Sequence, residues 1–342
     1  MLLIRNPLLH MANPFRMVVS QTLQEFTETL KLTGPVGLSL PLCMNNESSG
    51  ICKDVLLGVV TSVLNSEHYC QALEDDEGYS QEDEDLAELD ALVISVAADV
   101  VGAMSAALGS GFAGDVRPLL PLIAKHYQKN KPVSDRNMAV GALAEICEGL
   151  EDGVTPFTND LLTLFGNALR DEDDEVRSNA AFAISVLIAN SSVELSNYYA
   201  DILKLIEPLF GFDSKTNAVD NACGAISRMI LKNPKAVPLE TYVPAILNCL
   251  PLKRDYQENT VIYECILKLL QVQTPVLLSR INVVVSIFAQ VLSPPPGQLK
   301  DGTRAGITTF LESLKASHFE EFNQMLGSLR ADEATVVRSI IR

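Results

Sequence analysis

Apolar residues recur at three- and four-residue steps along nearly the whole chain, and the recurrence breaks about every 20 residues. That spacing predicts helices near 13–32, 51–65, 84–108, 111–129, 133–150, 155–170 and 173–190. It continues with helices near 195–211, 215–232, 238–251, 255–272, 274–292, 297–315, 318–329 and 332–341. Strict alternation is nearly absent. Clusters such as INVVVSIF sit in runs too long for strands and lack hairpin turns at their ends. The breaks carry capping residue types, with Ser134 and Asp135 before one helix and Asp173 and Asp174 before another. Pro132, Pro234, Pro251 and Pro294–Pro296 punctuate the connections.

The helices also repeat. DRNMAVGAL, beginning at Asp135, aligns with VRSNAAFAI, beginning at Val176, and NACGAI, beginning at Asn221, aligns with the part of that phrase that starts at Asn179. A weaker copy begins near Asp255, and each copy follows a helix such as DLLTLF or DILKLIEPLF. A helix pair recurring at about 40–47 residues is the signature of HEAT and armadillo arrays. One such pair cannot bury its apolar stripe alone, whereas stacked neighbours can. Ala139, Gly141, Ala180, Ala181, Ala222 and Gly224 are small enough to let successive second helices approach closely. The predicted fold is therefore all-α: a HEAT/armadillo-type α-solenoid of stacked antiparallel helix pairs, favoured over a compact bundle by the near-constant offset. Residues 1–72 read as the start of the array, 73–85 as an acidic loop insertion, and 86–342 as repeats running to a C-terminal cap.

Composition agrees with a helical core. The chain of 342 residues is 47% hydrophobic and only 6% aromatic, with no Trp. Its formal net charge of −17 argues against sequence-independent nucleic-acid binding, which needs a basic face, and favours basic partners. An acidic surface that merely keeps the protein soluble is the plain alternative. Ten of the seventeen residues in 74–90 are acidic, so the first half of that stretch should be a solvated loop, or an arm that meets basic partners. The seven cysteines show no CxxC spacing and lie mostly in apolar runs, which suits small buried hydrophobes in a reducing compartment. No uninterrupted run of 18 apolar residues is present, so no membrane span is expected, and the opening residues make a poor signal peptide.

No catalytic constellation emerges. His10, His68, His126 and His318 lie in separate segments without a partner at metal-ligand spacing, and no phosphate-binding or nucleophile motif is present. The glycine-rich Leu108–Gly114 reads as a helix C-cap followed by a turn. No enzyme activity, cofactor or metal is expected. What remains is binding along the concave face that second helices line in such an array. Glu145, Glu148, Asn179, Phe182, Asp220, Asn221 and Glu258 recur there at repeat intervals. Carboxylates, an amide and an aromatic ring together suit a lysine ammonium. Ordinary packing is the alternative for each, since a buried Asn at Asn179 or Asn221 can tie adjacent repeats together.

The phrases VRSNAAFAISVLIA, VDNACGAISRMI and LNCLPLKRDYQENTVIYECI, with the acidic EDDEGYSQEDED insertion, resemble the C-terminal third of the karyopherin beta (importin beta) family. The resemblance implies a nuclear import receptor, shuttling between cytoplasm and nucleus, that binds the basic localisation signals of cargo such as histones and ribosomal proteins. It implies contacts with phenylalanine–glycine nucleoporins and cargo release by Ran-GTP through N-terminal repeats that have no counterpart here. It places a cargo-lysine pocket at Glu145, Phe182, Asn221 and Glu258, with Gln257 where relatives tend to carry another acid. Because family members are far longer, the chain is expected to be a fragment, a truncated gene model or a shortened relative. A HEAT scaffold of a multiprotein complex, such as a phosphatase complex, is the competing function.

Overall fold

The computed structural model of the protein describes residues 49–68, 71, 81–211, 217–293 and 298–341. The expected helix near 13–32, the acidic stretch 72–80 and Pro294–Pro296 lie outside the described residues. Among the described residues the secondary structure is entirely helical, without a strand. The elements are α1 (Ser49–Leu64), α2 (Gln81–Leu108), α3 (Ala113–Val116), α4 (Leu120–Ala124), α5 (Val133–Leu150), α6 (Thr158–Ala168), α7 (Asp174–Asn190) and α8 (Tyr199–Ile206). They continue as α9 (Ala218–Lys232), α10 (Leu239–Cys249), α11 (Asn259–Gln271), α12 (Pro275–Leu278), α13 (Ile281–Leu292), α14 (Asp301–Ser317), α15 (Phe319–Ser328) and α16 (Ala331–Ile340).

The long periodic helices fall where the apolar spacing puts them, and α5 runs over the expected 133–150. Departures follow local chemistry. The expected helix 111–129 breaks into a 3-10 turn at Gly109–Phe112 and the short α3 and α4. Two prolines lie in this stretch, Pro118 before α4 and Pro121 in its first turn, where a missing N–H costs nothing. Gly109 has φ of +60°, the left-handed conformation that closes α2 as the sequence predicts. Helix α2 begins at Gln81, so 81–85 are helical rather than loop; extending an existing helix backward by a turn needs no new nucleus. Ser134 and Asp135 lie inside the first turn of α5, not ahead of it, and Pro132 stands at the cap. Asp173 does cap α7: its Oδ1 accepts from the N–H groups of Glu175 and Val176 at 2.9 and 3.1 Å.

The chain forms two compact units. The first comprises the described residues up to Phe165 together with Asn190–Ser192. Within it α2 packs along α5 and against α1. Val93, Ala97, Ala98, Val101 and Met104 of α2 and Ala139, Leu143, Ile146 and Leu150 of α5 are buried. One stretch, Glu88–Val116, is long and apolar enough by composition to cross a membrane, which the count of uninterrupted apolar residues misses because Asp90 and Asp99 interrupt it. Half of its most apolar window is buried inside the unit, as in the core helix of a repeat array. Asn190 returns to this unit, and its Nδ2 donates to the Cys147 carbonyl at 2.9 Å.

The second unit comprises Gly166–Ala189 and the described residues from Val193 onward. Helices α9, α11 and α14 pack successively in one row, and α10, α13 and α16 in another, with α10 also against α9. This is the two-row stacking of a HEAT/armadillo-type α-solenoid, in which each pair buries the stripe its neighbour exposes. Cys147, Cys223 and Cys265 are free and buried, and burial raises the Cys265 thiol to about 12, so these thiols act as small apolar side chains.

Candidate functional site

The expected binding residues divide between the units. Glu145 belongs to the first, and Phe182, Asn221, Gln257 and Glu258 to the second.

In the first unit Glu145 stands on α5 with its carboxylate lying over Gly102 of α2. A Cβ at Gly102 would come within 3.0 Å of Glu145 Oε2. Asp99 and Glu148 stand close by, and all three acids are exposed. The Glu145 carboxyl is pushed up from its ordinary 4.5 to about 7, first by lost hydration and then by Asp99 and Glu148. Since Glu145 keeps solvent access, the like charges are the firmer cause. A folded state that holds this proton more tightly than the unfolded chain loses stability as pH rises from about 4.5 to about 7. Glu145→Gln removes that dependence. The melting temperature of the variant should therefore gain on the parent between about pH 5 and about pH 8. A gain that stays constant across that range would show that Glu145 does not titrate there.

In the second unit three helical segments meet at one cation. Arg228 of α9 donates through Nη1 to Glu258 Oε2 at 2.5 Å and through Nη2 to Glu258 Oε1 at 2.8 Å. Its Cζ stands 5.1 Å from the centroid of the Phe182 ring on α7. The Glu258 side chain is only 2% exposed and that of Arg228 11%. Glu258 is not on the second helix itself, as the spacing suggests, but in the 3-10 turn Tyr256–Glu258 that leads into α11. Its carboxylate lies directly over Gly224 of α9, and a Cβ there would fall on Oε2. Sequence reasoning finds the acid, the ring and the small residue but misses Arg228. The signal is a lone base in the apolar run AISRMI, four residues after that glycine.

Asn221 and Asp220 each bridge to a neighbouring segment, whereas Gln257 is engaged through its backbone. Asn221 Nδ2 donates to Ser178 O and Ser178 Oγ at 3.3 and 3.1 Å, across 43 residues, so it ties one repeat to the next. Asp220 Oδ2 accepts from the N–H groups of Arg254 and Asp255, both at 2.8 Å, and holds the loop that carries Glu258. Gln257 is exposed and its N–H donates to Asp255 Oδ1 at 3.1 Å.

Comparison with known proteins bears on what such a surface serves. Residues 133–187 match the model of a HEAT-like repeat. Over 266 residues, 76% of this chain and 25% of the relative, the chain is 39% identical to "Probable importin subunit beta-4" of Schizosaccharomyces pombe. The chain belongs to the karyopherin beta family. It is also 28% identical to Importin-4 of Homo sapiens and to that of Mus musculus, each over 95% of this chain and 29% of the relative. This karyopherin chain thus spans under a third of the length of the relatives it matches. A designed armadillo repeat protein aligns with a TM-score of 0.37 and 17% identity over 84% of this chain and 100% of its own. A likeness that slight decides nothing, and the fold rests on the helix pairs themselves.

Proposed function

We propose that this chain supplies a nuclear import receptor with a surface for basic localisation signals, such as those of histones and ribosomal proteins. In that role it moves between cytoplasm and nucleus with nucleoporins and Ran-GTP as partners of the receptor, and it catalyses no reaction. The observation that carries the reading is the 39% identity to an importin subunit beta-4 over three quarters of the chain. The net charge of −17 and the crowded Asp99, Glu145 and Glu148 supply the electrostatics. A lysine placed beside those acids would relieve their mutual repulsion and favour the ionised Glu145. Within the second unit, Phe182, Glu258, Asn221 and Gln257 are the further candidates for contact with the signal.

The test is calorimetric titration of the protein with a lysine-rich histone-tail peptide at increasing ionic strength. Affinity should fall steeply with salt, since exposed charges are screened within about 10 Å at 0.1 M. Two exposed pairs of ordinary strength predict a loss of about three- to tenfold for Glu145→Gln/Glu148→Gln. Unchanged affinity in that variant would remove these acids from the site. Recovery from extract of phosphatase subunits without any basic protein would sink the import reading.

A further inference from the structure

Arg228 occupies the place where an incoming basic side chain would be expected. The groups around its guanidinium are those that recognise a cation: a bidentate carboxylate at 2.5 and 2.8 Å and an aromatic face at 5.1 Å. Gly224 has no side chain to keep the carboxylate away from α9. We infer that Arg228 is a built-in competitor, an intramolecular cation that closes the Phe182–Glu258 seat until a lysine or arginine of a bound basic segment displaces it. The inference rests on the proposed import function and adds how that seat is gated.

The layering favours exchange. Glu258 lies beneath, at 2% exposure, and Arg228 is the more exposed partner at 11%. Arg228 is thus the member of the pair with more access to solvent, and its departure would leave the carboxylate oxygens without their bidentate donor. Arg228 is carried on a flexible stem from the middle of α9, so it can leave by rotation of its own side chain without any change in the helix. Phe182 is half-buried, so part of its side chain remains open to solvent. The Arg228 fork engages both oxygens of Glu258, so a cargo cation that takes the same two oxygens competes with it for them. A site whose competent form is only fractionally populated binds more weakly by that fraction.

The experiment compares the unmodified chain with Arg228→Ala and Arg228→Lys, using the histone-tail peptide and, separately, methylguanidinium as probes. Arg228→Ala should bind the peptide about tenfold more tightly than the parent, as expected if the seat is open about a tenth of the time. Arg228→Lys keeps a cation but loses the bidentate fork, so it should fall between the two. It also serves if the alanine variant does not fold. Methylguanidinium should raise the melting temperature of Arg228→Ala and leave the parent unmoved. If the parent binds peptide and both variants bind it equally or more weakly, the gating inference is overturned while the import reading stands. If methylguanidinium stabilises the alanine variant but no form of the protein binds peptide, the seat exists, and both the import reading and the exchange with cargo fail.

Discussion

Glu258→Ala is expected to destabilise the second unit by about 3–5 kcal/mol, the cost of leaving one member of a buried ion pair without its partner. The Arg228 side chain is 11% exposed, and each of its Nη groups donates one hydrogen bond to Glu258. Removing the carboxylate strands a guanidinium that cannot give up its proton. Arg228 does have an outlet toward solvent, which bounds the loss at the lower end of that range if the side chain swings out. The change also removes the group that Asp220 positions, since Asp220 holds the backbone of Arg254 and Asp255, four and three residues before Glu258. Replacing both partners, in Arg228→Met/Glu258→Met, should cost far less than Glu258→Ala alone, because no charge is then stranded. Urea unfolding of Arg228→Met, Glu258→Met and the double variant, beside the parent, closes a double-mutant cycle. A cycle with no coupling energy would show that the pair is ornamental to stability.

That pair also marks where the sequence stops being informative. The repeat period follows from small residues at 135–143, 176–184 and 221–226, and it is enough to stack the helices. It also pairs Asn221 with the preceding repeat: the hydrogen bonds to Ser178 span 43 residues, close to one period. The period does not fix what happens between helices. Glu258 is offset from the helical phase because Tyr256–Glu258 is a 3-10 turn, and its partner is 30 residues back on another helix. A ladder drawn by counting residues therefore aligns Phe182, Asn221 and Glu258 but leaves out the cation that joins the ring to the carboxylate. Proline chemistry has the same character. Pro118 and Pro121 can be seen in the sequence, but breaking 111–129 into separate turns depends on packing that periodicity does not encode.

Gly149→Ala is the second large effect, and it is expected to cost the first unit about 3 kcal/mol or more, at or above the upper end for overpacking a well-filled core. The added methyl would have no side chain to push aside. It would fall on the Ala106 amide nitrogen, with the Ser105 carbonyl carbon at 2.6 Å and Ala106 Cα at 2.8 Å, all backbone of α2. The only relief is to separate α2 from α5. That movement would loosen the contacts of Val101, Met104, Ile146 and Leu150 together, because the two helices pack along their length. Intrinsic helix propensity works the other way, favouring alanine by up to about 1 kcal/mol, so the observed loss is a net value. Gly58→Ala isolates that term, since Gly58 is an exposed residue of α1 whose added Cβ would have no atom within 4 Å. It should stabilise the same unit by about 0.5–1 kcal/mol. Hydrogen exchange of the α2 and α5 amides reads both effects locally, with protection lost in Gly149→Ala and kept in Gly58→Ala. Equal protection in the two variants would mean that α2 and α5 do not approach as closely as the backbone contacts at Gly149 require.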